Sequence, residues 1–299
     1  MIDLSSDIID FEPIAHSYTN RRTRRRYLGI TTFIGQLEPV FNMNLWTSYT
    51  AVKRFYGARH YKFTVFKGFL ENKKGEPKKT EKEREEIIQR YYDRSPNREE
   101  LLKLKEEIRL EWKEENRISL VKGSAYHAEQ EDKTNFNKFR ILKQELRRLA
   151  DVSNIPRSHG NKVNLSQTLP DGIHPEVILS NHEYQLSGQA DYVYIETING
   201  IRYIDIDDYK TNKKLTKENK FQTFLTPLDF LEHHKMNIYR LQINLYAWLA
   251  EQHGFVVRDL TLTYAPDKNT VPVTYPIYRF FKEQDPIKLM LKVRKNQLK

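Results

Sequence analysis

The sequence predicts an α/β fold, a central mixed β-sheet flanked by helices, with a charged helical insertion in its N-terminal half. Three observations carry this. Past residue 118 the segments alternate: a helix in "ISLVKGSAYHAEQEDK", strands in "HPEVILSNHEYQLSGQADYVYIE" and "GIRYIDIDDYKT", a helix in "NIYRLQINLYAWLAEQHG", then strands in "DLTLTYAP" and "TYPIYRFF". Between the first two strand runs sits Asn199–Gly200, the strongest short-range hairpin signal. Residues 71–115 are almost all charge, with apolar residues at helical spacing. The expected organisation is a strand and helix element over 1–70, a charged helical arm over 71–120 and a core over 121–299.

The elements follow in order. "HSYTNRRTRRRYLGITTFIG" reads as two short strands around the basic run Arg21, Arg22, Arg24, Arg25 and Arg26. That run is either a phosphate contact, with Arg24 and Arg25 as candidates, or a solvated turn. "NLWTSYTAVKRFYG" is a helix stopped by Gly57. In the arm, Leu101, Leu104, Ile108 and Trp112 form an apolar stripe, and Asn97 with Glu100 resembles a capping box. "FNKFRILKQELRRLADV" is a further amphipathic helix, and residues 153–172 are a loop rich in Asn, Ser, Pro and Gly. In the last helix Leu241, Leu245 and Trp248 mark one face, Gln242 and Tyr246 another, either surface decoration or a contact to a bound backbone. Gly254 closes it.

Composition narrows the chemistry. The 299 residues hold no cysteine, which excludes disulfides, thiolate zinc sites, thiol nucleophiles and cysteine-held iron–sulfur clusters. Any metal must take oxygen or imidazole ligands, which favours hard cations such as Mg²⁺ or Mn²⁺. Lys and Arg outnumber Asp and Glu by 50 to 40, a net charge of +10 that suits a polyanionic partner. No stretch approaches the ~20 apolar residues of a membrane span. The opening "MIDLSSDIIDFEP" lacks a basic segment followed by an apolar one, so a cytoplasmic protein without membrane partners is expected.

The hairpin turns the acidic run into a geometric statement. With Asn199–Gly200 as the whole turn, Ile198 faces Ile201, Glu196 faces Tyr203, and Asp191 faces Asp208, with Cβ atoms ~5 Å apart. Side chains two residues apart share a face, so Lys210 joins Asp208 and Asp191, while Asp205 and Asp207 point away. Ile204 and Ile206 run from the same face towards the core. Opposed carboxylates repel unless a cation lies between them. The alternative is a salt-bridged cluster in which Lys210 neutralises one acid, but the opposed Asp191 favours a metal site. On the helix upstream, His127 and Glu131 are four residues apart on one face; a lone histidine there is usually structural, but beside that Glu, His127 is a candidate ligand.

Taken together, "GSAYHAEQE", "HPEVIL", "SGQAD", "IDIDDYKT" and "LQINLYAW" resemble the PD-(D/E)XK nuclease superfamily, in its RecB-like and phage-type exonuclease branch. "HSYTN…YLGITTFIG" is similar to the opening of relatives of the mitochondrial genome-maintenance exonuclease. The likeness spans most of the chain except the charged segment 71–115. It implies a restriction-endonuclease-like core and a metal-dependent deoxyribonuclease, an exonuclease of recombination, repair or phage DNA processing, acting in the host cytoplasm if phage-encoded. The alternative is a non-cleaving nucleic-acid-binding or virion-associated protein that keeps the fold. The likeness also implies the roles. Asp191, Asp208 and Lys210 are the catalytic set. His127, Asp191, Asp208 and the Tyr209 carbonyl hold Mg²⁺ or Mn²⁺. Glu131, Glu176, Gln242 and Tyr246 support them. By their position directly after the active strand and the basic balance of the chain, not by the likeness, Lys213, Lys214, Lys217 and Lys220 are candidates to track the DNA backbone. The proline of the "PD" dipeptide is absent, since Ala190 precedes Asp191, and no iron–sulfur cluster is expected.

Overall fold

The computed structural model describes residues 8–12, 15, 17–71, 79–146, 163–211, 215, 222–265, 271–280 and 285–299, with the backbone alone at 124 and 131–146. The chain forms two compact units, Met1–Pro39 with Lys122–Lys299, and Val40–Val121.

The first unit is built on an eight-stranded sheet, β1 (Ile9–Glu12), β2 (Ser17–Asn20), β3 (Arg26–Gly29), β4 (Gly172–Asn181), β5 (Leu186–Ile198), β6 (Ile201–Lys210), β7 (Val256–Tyr264) and β8 (Val273–Pro276). It is mixed: β3 runs parallel to β5 and β6 parallel to β7, while the other pairs are antiparallel. β5 is the organising strand. β4 follows one edge of it, β6 takes Tyr192–Ile198, and β3 takes Leu186 and Ser187.

The β5–β6 hairpin forms in the register read from the sequence, from Ile198↔Ile201 to Tyr192↔Asp207. Asn199 and Gly200 have φ of 51° and 78°, the doubly left-handed turn that matches strand twist. The register is held by burial: Ile204, Ile206 and Asp208 face inward, and a slip of one residue would bring Asp205 and Asp207 into the core. Those two acids lie on the opposite face, Asp205 bound by Arg258 and Asp207 accepting from the Thr263 hydroxyl at 2.7 Å.

Helix α6 (Lys235–Gln252) packs its Leu241, Leu245 and Leu249 into the main core with Val193, Ile195 and Ile204. His253 caps it and Gly254, at φ 81°, turns the chain into β7. Three elements were not legible in the sequence: β1, the short helix α1 (Ile30–Gly35) that buries Ile30, Phe33 and Ile34, and the C-terminal helix α7 (Pro286–Gln297). α7 opens with Pro286 at its first turn and Asp285 accepting from Ile287 N at 3.0 Å, a strong start signal in retrospect.

The second unit is helical: α2 (Met43–Tyr56), α3 (Tyr61–Leu70), α4 (Glu81–Arg94) and the first part of α5 (Arg98–Leu146). The two helices expected between 98 and 146 are therefore one. Leu45, Val52, Phe63, Phe66, Ile88, Tyr92 and Leu101 make this unit's own core. Of the sequence's stripe, Leu101 and Ile108 are fully buried and Leu104 and Trp112 half-buried. A capping box forms at Thr80 and Glu83. At Asn97 the side-chain amide donates to the Tyr56 hydroxyl. α3 was not anticipated. Its apolar residues fall on more than one face, with Lys62 and Lys67 between them, which gives no single face to read.

Candidate active site

The site forms where three strands carry a carboxylate at the same level. The β4–β5 ladder pairs Pro175 with Tyr192 and Val177 with Ala190, which sets Glu176 across from Asp191. The next position of the β5–β6 ladder sets Asp208 across from Asp191 on the other side. Asp191 is thus the middle of a row of three acids. Regular pairing lapses there, since neither ladder includes the row itself. Glu176 takes φ 54°, a left-handed conformation that costs a non-glycine residue roughly 1–3 kcal/mol and is concentrated at functional sites.

The groups around Asp191 are placed by separate elements. α5 brings His127, whose Nδ1 lies 3.2 Å from Asp191 Oδ1. β6 supplies the Tyr209 backbone N–H, which donates to Asp191 Oδ2 at 2.6 Å. The N–H and C=O of an extended residue leave the same strand edge, so the Tyr209 carbonyl also points to the β5 side. Asp208 is 1% exposed and makes an ion pair through Oδ2 with the Lys210 ammonium. Among the described residues, no aligned hydrogen bond reaches that oxygen. Its other oxygen, Oδ1, accepts from Gln242 Nε2 at 3.2 Å, and the same amide lies 2.8 Å from the Tyr246 hydroxyl. Gln242 and Tyr246 are buried, not surface decoration: α6 turns them towards Asp208 from behind.

Residues 50–285 match the family model described as PD-(D/E)XK nuclease superfamily. The chain belongs to that superfamily. Neither a curated protein nor a solved structure gives a match. As a PD-(D/E)XK nuclease the chain carries out metal-dependent phosphodiester hydrolysis, and its substrate is nucleic acid. The mixed sheet with its covering helices is the fold of that superfamily. No helix among the described residues is long and apolar enough to cross a membrane.

The donor set fits a divalent cation. His127, Glu176 and Asp191 each offer one ligand atom, and these lie within 4.8 Å of one another. Two carboxylates and an imidazole suit Mg²⁺ or Mn²⁺, with Mn²⁺ more tolerant of the nitrogen. Glu176, expected only to support the site, therefore stands among the candidate ligands, and Asp208 lies beside that trio with Lys210 holding it.

Electrostatics separate the acids. Burial pushes the Asp208 carboxyl up to about 6 against the pull of Lys210, with the Asp191 charge adding to the rise. Burial acts on Asp191 in the same direction, but the hydrogen bond and charge of His127, the Lys210 charge and the Tyr209 N–H outweigh it and hold Asp191 below the usual carboxylate range. Burial acts to lower His127, yet the Asp191 carboxylate leaves it raised. Lys210 is likewise raised, since Asp208 and Asp191 outweigh its desolvation. Lys210 is an ammonium, not a base, at neutral pH.

Three residues outside the sequence reading complete the arrangement. Tyr18 on β2 is buried, and burial together with the charges of Glu176 and Asp191 raises its pKa. The Tyr239 ring centroid lies 5.0 Å from Lys210 Nζ. Tyr239 stands three residues before Gln242, so it extends the Gln242 and Tyr246 face, a signal the sequence did contain. Gly188 has none beyond being a glycine in a strand. A Cβ there would lie 2.6 Å from Tyr246 Cε1 and 2.8 Å from Ile30 Cδ1. Gly188→Ala is therefore expected to destabilise the protein by about 1–3 kcal/mol and to slow cleavage by pushing Tyr246 off Gln242. Thermal unfolding and a cleavage time course check both. Wild-type values in each would show that Tyr246 can move without consequence.

Of the remaining sequence candidates, five have side chains outside the described residues and two sit in an exposed turn. Glu131 lies one turn beyond His127 on α5, where its side chain is outside the described residues. Lys213, Lys214, Lys217 and Lys220 also lie outside them. Arg24 and Arg25 sit in the exposed β2–β3 turn, Arg24 at φ 58°. Arg21 of the same run pairs with Asp10.

Proposed function

We propose that the chain is an Mg²⁺- or Mn²⁺-dependent exonuclease on DNA, working at the Glu176–Asp191–Asp208 row. The observation that carries the reading is the convergence of a three-donor cluster with a half-buried, charged lysine paired to the neighbouring Asp208. The exonuclease assignment rests on the likeness of the motif set to the RecB-like and phage-type branch, as does a place in recombination, repair or phage DNA processing.

In this reading Asp191, Asp208, Glu176 and His127 hold the cation, with the Tyr209 carbonyl available on the same edge. The cation supplies a Lewis acid for the phosphate and lowers the pKa of water. Lys210 meets the negative charge that builds on the phosphoryl oxygens and orients the attacking water. Water oxygen bonds to phosphorus, the bond to the 3′ oxygen breaks, and the proton goes to that oxygen, leaving a 5′-phosphate and a 3′-hydroxyl. Gln242 and Tyr246 keep Asp208 at its angle.

A divalent cation should then raise the unfolding midpoint, by about 2.7 kcal/mol of stability at a hundredfold excess over its dissociation constant, and chelation should reverse it. The cation needs ionised Asp208, and that carboxyl titrates at about 6. Below that pH a proton competes there, and the raised His127 must also lose its proton to bind, so apparent metal affinity should fall by up to roughly tenfold per pH unit for each proton displaced. Calorimetric Mn²⁺ titration from pH 5 to 8 reads this directly, and a flat profile would contradict it.

The deciding test is digestion of end-labelled linear and circular DNA, single- and double-stranded, with Mg²⁺ or Mn²⁺. Wild type is compared with Lys210→Ala, Asp208→Asn and, on the opposite sheet face, Asp207→Asn. Shortening from an end, intact circles, and loss of cutting in the first two variants alone are expected. Cut circles would make the enzyme an endonuclease. DNA binding without cutting under either cation would make it a binding protein on a nuclease fold.

A further inference from the structure

The second unit carries a site that the cleavage chemistry does not use. Helix α3 has two apolar faces. Phe63, Phe66 and Leu70 enter the unit's own core. Tyr61, Val65 and Phe69, at four-residue spacing on the other side, are 67%, 53% and 55% exposed. A helix with a second apolar face ordinarily buries it, and this one leaves the stripe in water. The stripe forms one wall of a groove of about 620 Å³, opposite Ile87 and Tyr91 of α4.

The groove's charge has one sign. Lys62, Arg90 and Arg94 line it, and no acidic residue does. Among the described residues, no carboxylate pairs with any of the three. Their neighbours behave differently: Arg54 pairs with Glu111, Lys67 with Glu71 and Arg98 with Asp93. The aromatic wall is also held in place. The Tyr56 hydroxyl accepts from the Asn97 amide, the Tyr91 ring lies 4.7 Å from Phe66, and the Lys62 ammonium stands 5.3 Å from the centre of the Tyr56 ring.

We infer that this groove binds single-stranded nucleic acid, stacking unpaired bases on Tyr61 and Phe69 while Lys62, Arg90 and Arg94 take the phosphates. Flat rings beside unpaired cations match the two halves of a nucleotide, a π-face and a phosphate, and need no base sequence. A duplex hides its base faces, so the groove distinguishes open strands from paired ones. The inference rests on the nuclease reading only in taking nucleic acid as the substrate.

The test uses the full chain and fluorescent oligo(dT) in EDTA, so that binding is measured without cutting. Tyr61→Ala and Phe69→Ala, both at exposed positions, should each weaken binding by on the order of tenfold. Arg90→Gln with Arg94→Gln should flatten the salt dependence of binding, lowering the log–log slope by roughly 1.4. A blunt duplex should respond to the arginine changes alone. The groove assignment is overturned if all these variants bind oligo(dT) like wild type, or if the aromatic changes weaken duplex equally. It is also overturned if polyglutamate, and not oligo(dT), is the ligand they lose, which would make the groove a dock for acidic protein. Turnover of bis(p-nitrophenyl) phosphate with Mn²⁺, a substrate too small to need the groove, separates the two readings. Groove variants should turn it over normally and Lys210→Ala should not. Turnover unchanged in Lys210→Ala would sink the nuclease site and leave the groove standing.

Discussion

Asp191→Asn is expected to lower cleavage by at least ~10²–10³-fold, the rate equivalent of the several kcal/mol a metal centre supplies, and to leave the fold intact. Asn keeps the volume and the oxygen that accepts the Tyr209 N–H at 2.6 Å. What it removes is the charge at the centre of the row, on which His127 and Glu176 both depend for a cation. Losing that charge should also drop the His127 pKa, because the Asp191 hydrogen bond and charge are what hold it up against desolvation. The measurement is a pair: single-turnover cleavage, and the Mn²⁺-induced rise in the unfolding midpoint. Both should vanish in the variant while the metal-free midpoint stays near wild type. Cleavage within tenfold of wild type, with the Mn²⁺ effect preserved, would remove Asp191 from the site.

Lys210→Ala should lose cleavage by roughly 10²–10³-fold for another reason, the absence of fixed positive charge where the phosphate becomes more negative. It should also lose stability. Asp208 is fully buried and Lys210 half-buried, and removing one partner of a fully buried pair typically costs about 3–5 kcal/mol, an upper bound here. Asp208, already pushed up to about 6, softens that loss by taking a proton. The two effects come apart in a double variant. Lys210→Ala with Asp208→Asn removes both members of the pair and leaves neither charge without its partner, so it should recover much of the stability and none of the activity. If activity returned with stability, Lys210 would be a structural counter-ion, the alternative the sequence itself left open.

Much of this arrangement was legible because it is local. A two-residue Asn-Gly turn sets strand register without help from the rest of the chain, and alternation then assigns every side chain between Leu186 and Lys210 to a face. That is how Asp191 and Asp208 could be opposed, and Asp207 sent to the far side, from residue order. Helical spacing in the same way put Gln242 and Tyr246 together, four residues apart and hydrogen-bonded in the structure.

Other contacts had no local signal. Nothing within β4 says that Glu176 stands across from Asp191, because that pairing depends on the turn at residues 182–185 and on a left-handed residue in mid-strand. His127 meets Asp191 across 64 residues of chain, and no periodicity reaches that far. Gly188 matters only because Tyr246 and Ile30, from two different helices, crowd the same point.

The sequence by itself determined the hairpin, the faces of its strands and the identity of the groups available for chemistry, since these follow from backbone geometry over a few residues and from composition. Only the tertiary structure decided what joins the Asp191–Asp208 pair: Glu176 on its other side and the imidazole that closes the row; it alone also left the aromatic face of α3 in water. Each depends on the packing of elements distant in the chain. Burial and the cancellation of charge select the arrangement there, and neither can be computed until the neighbours are known.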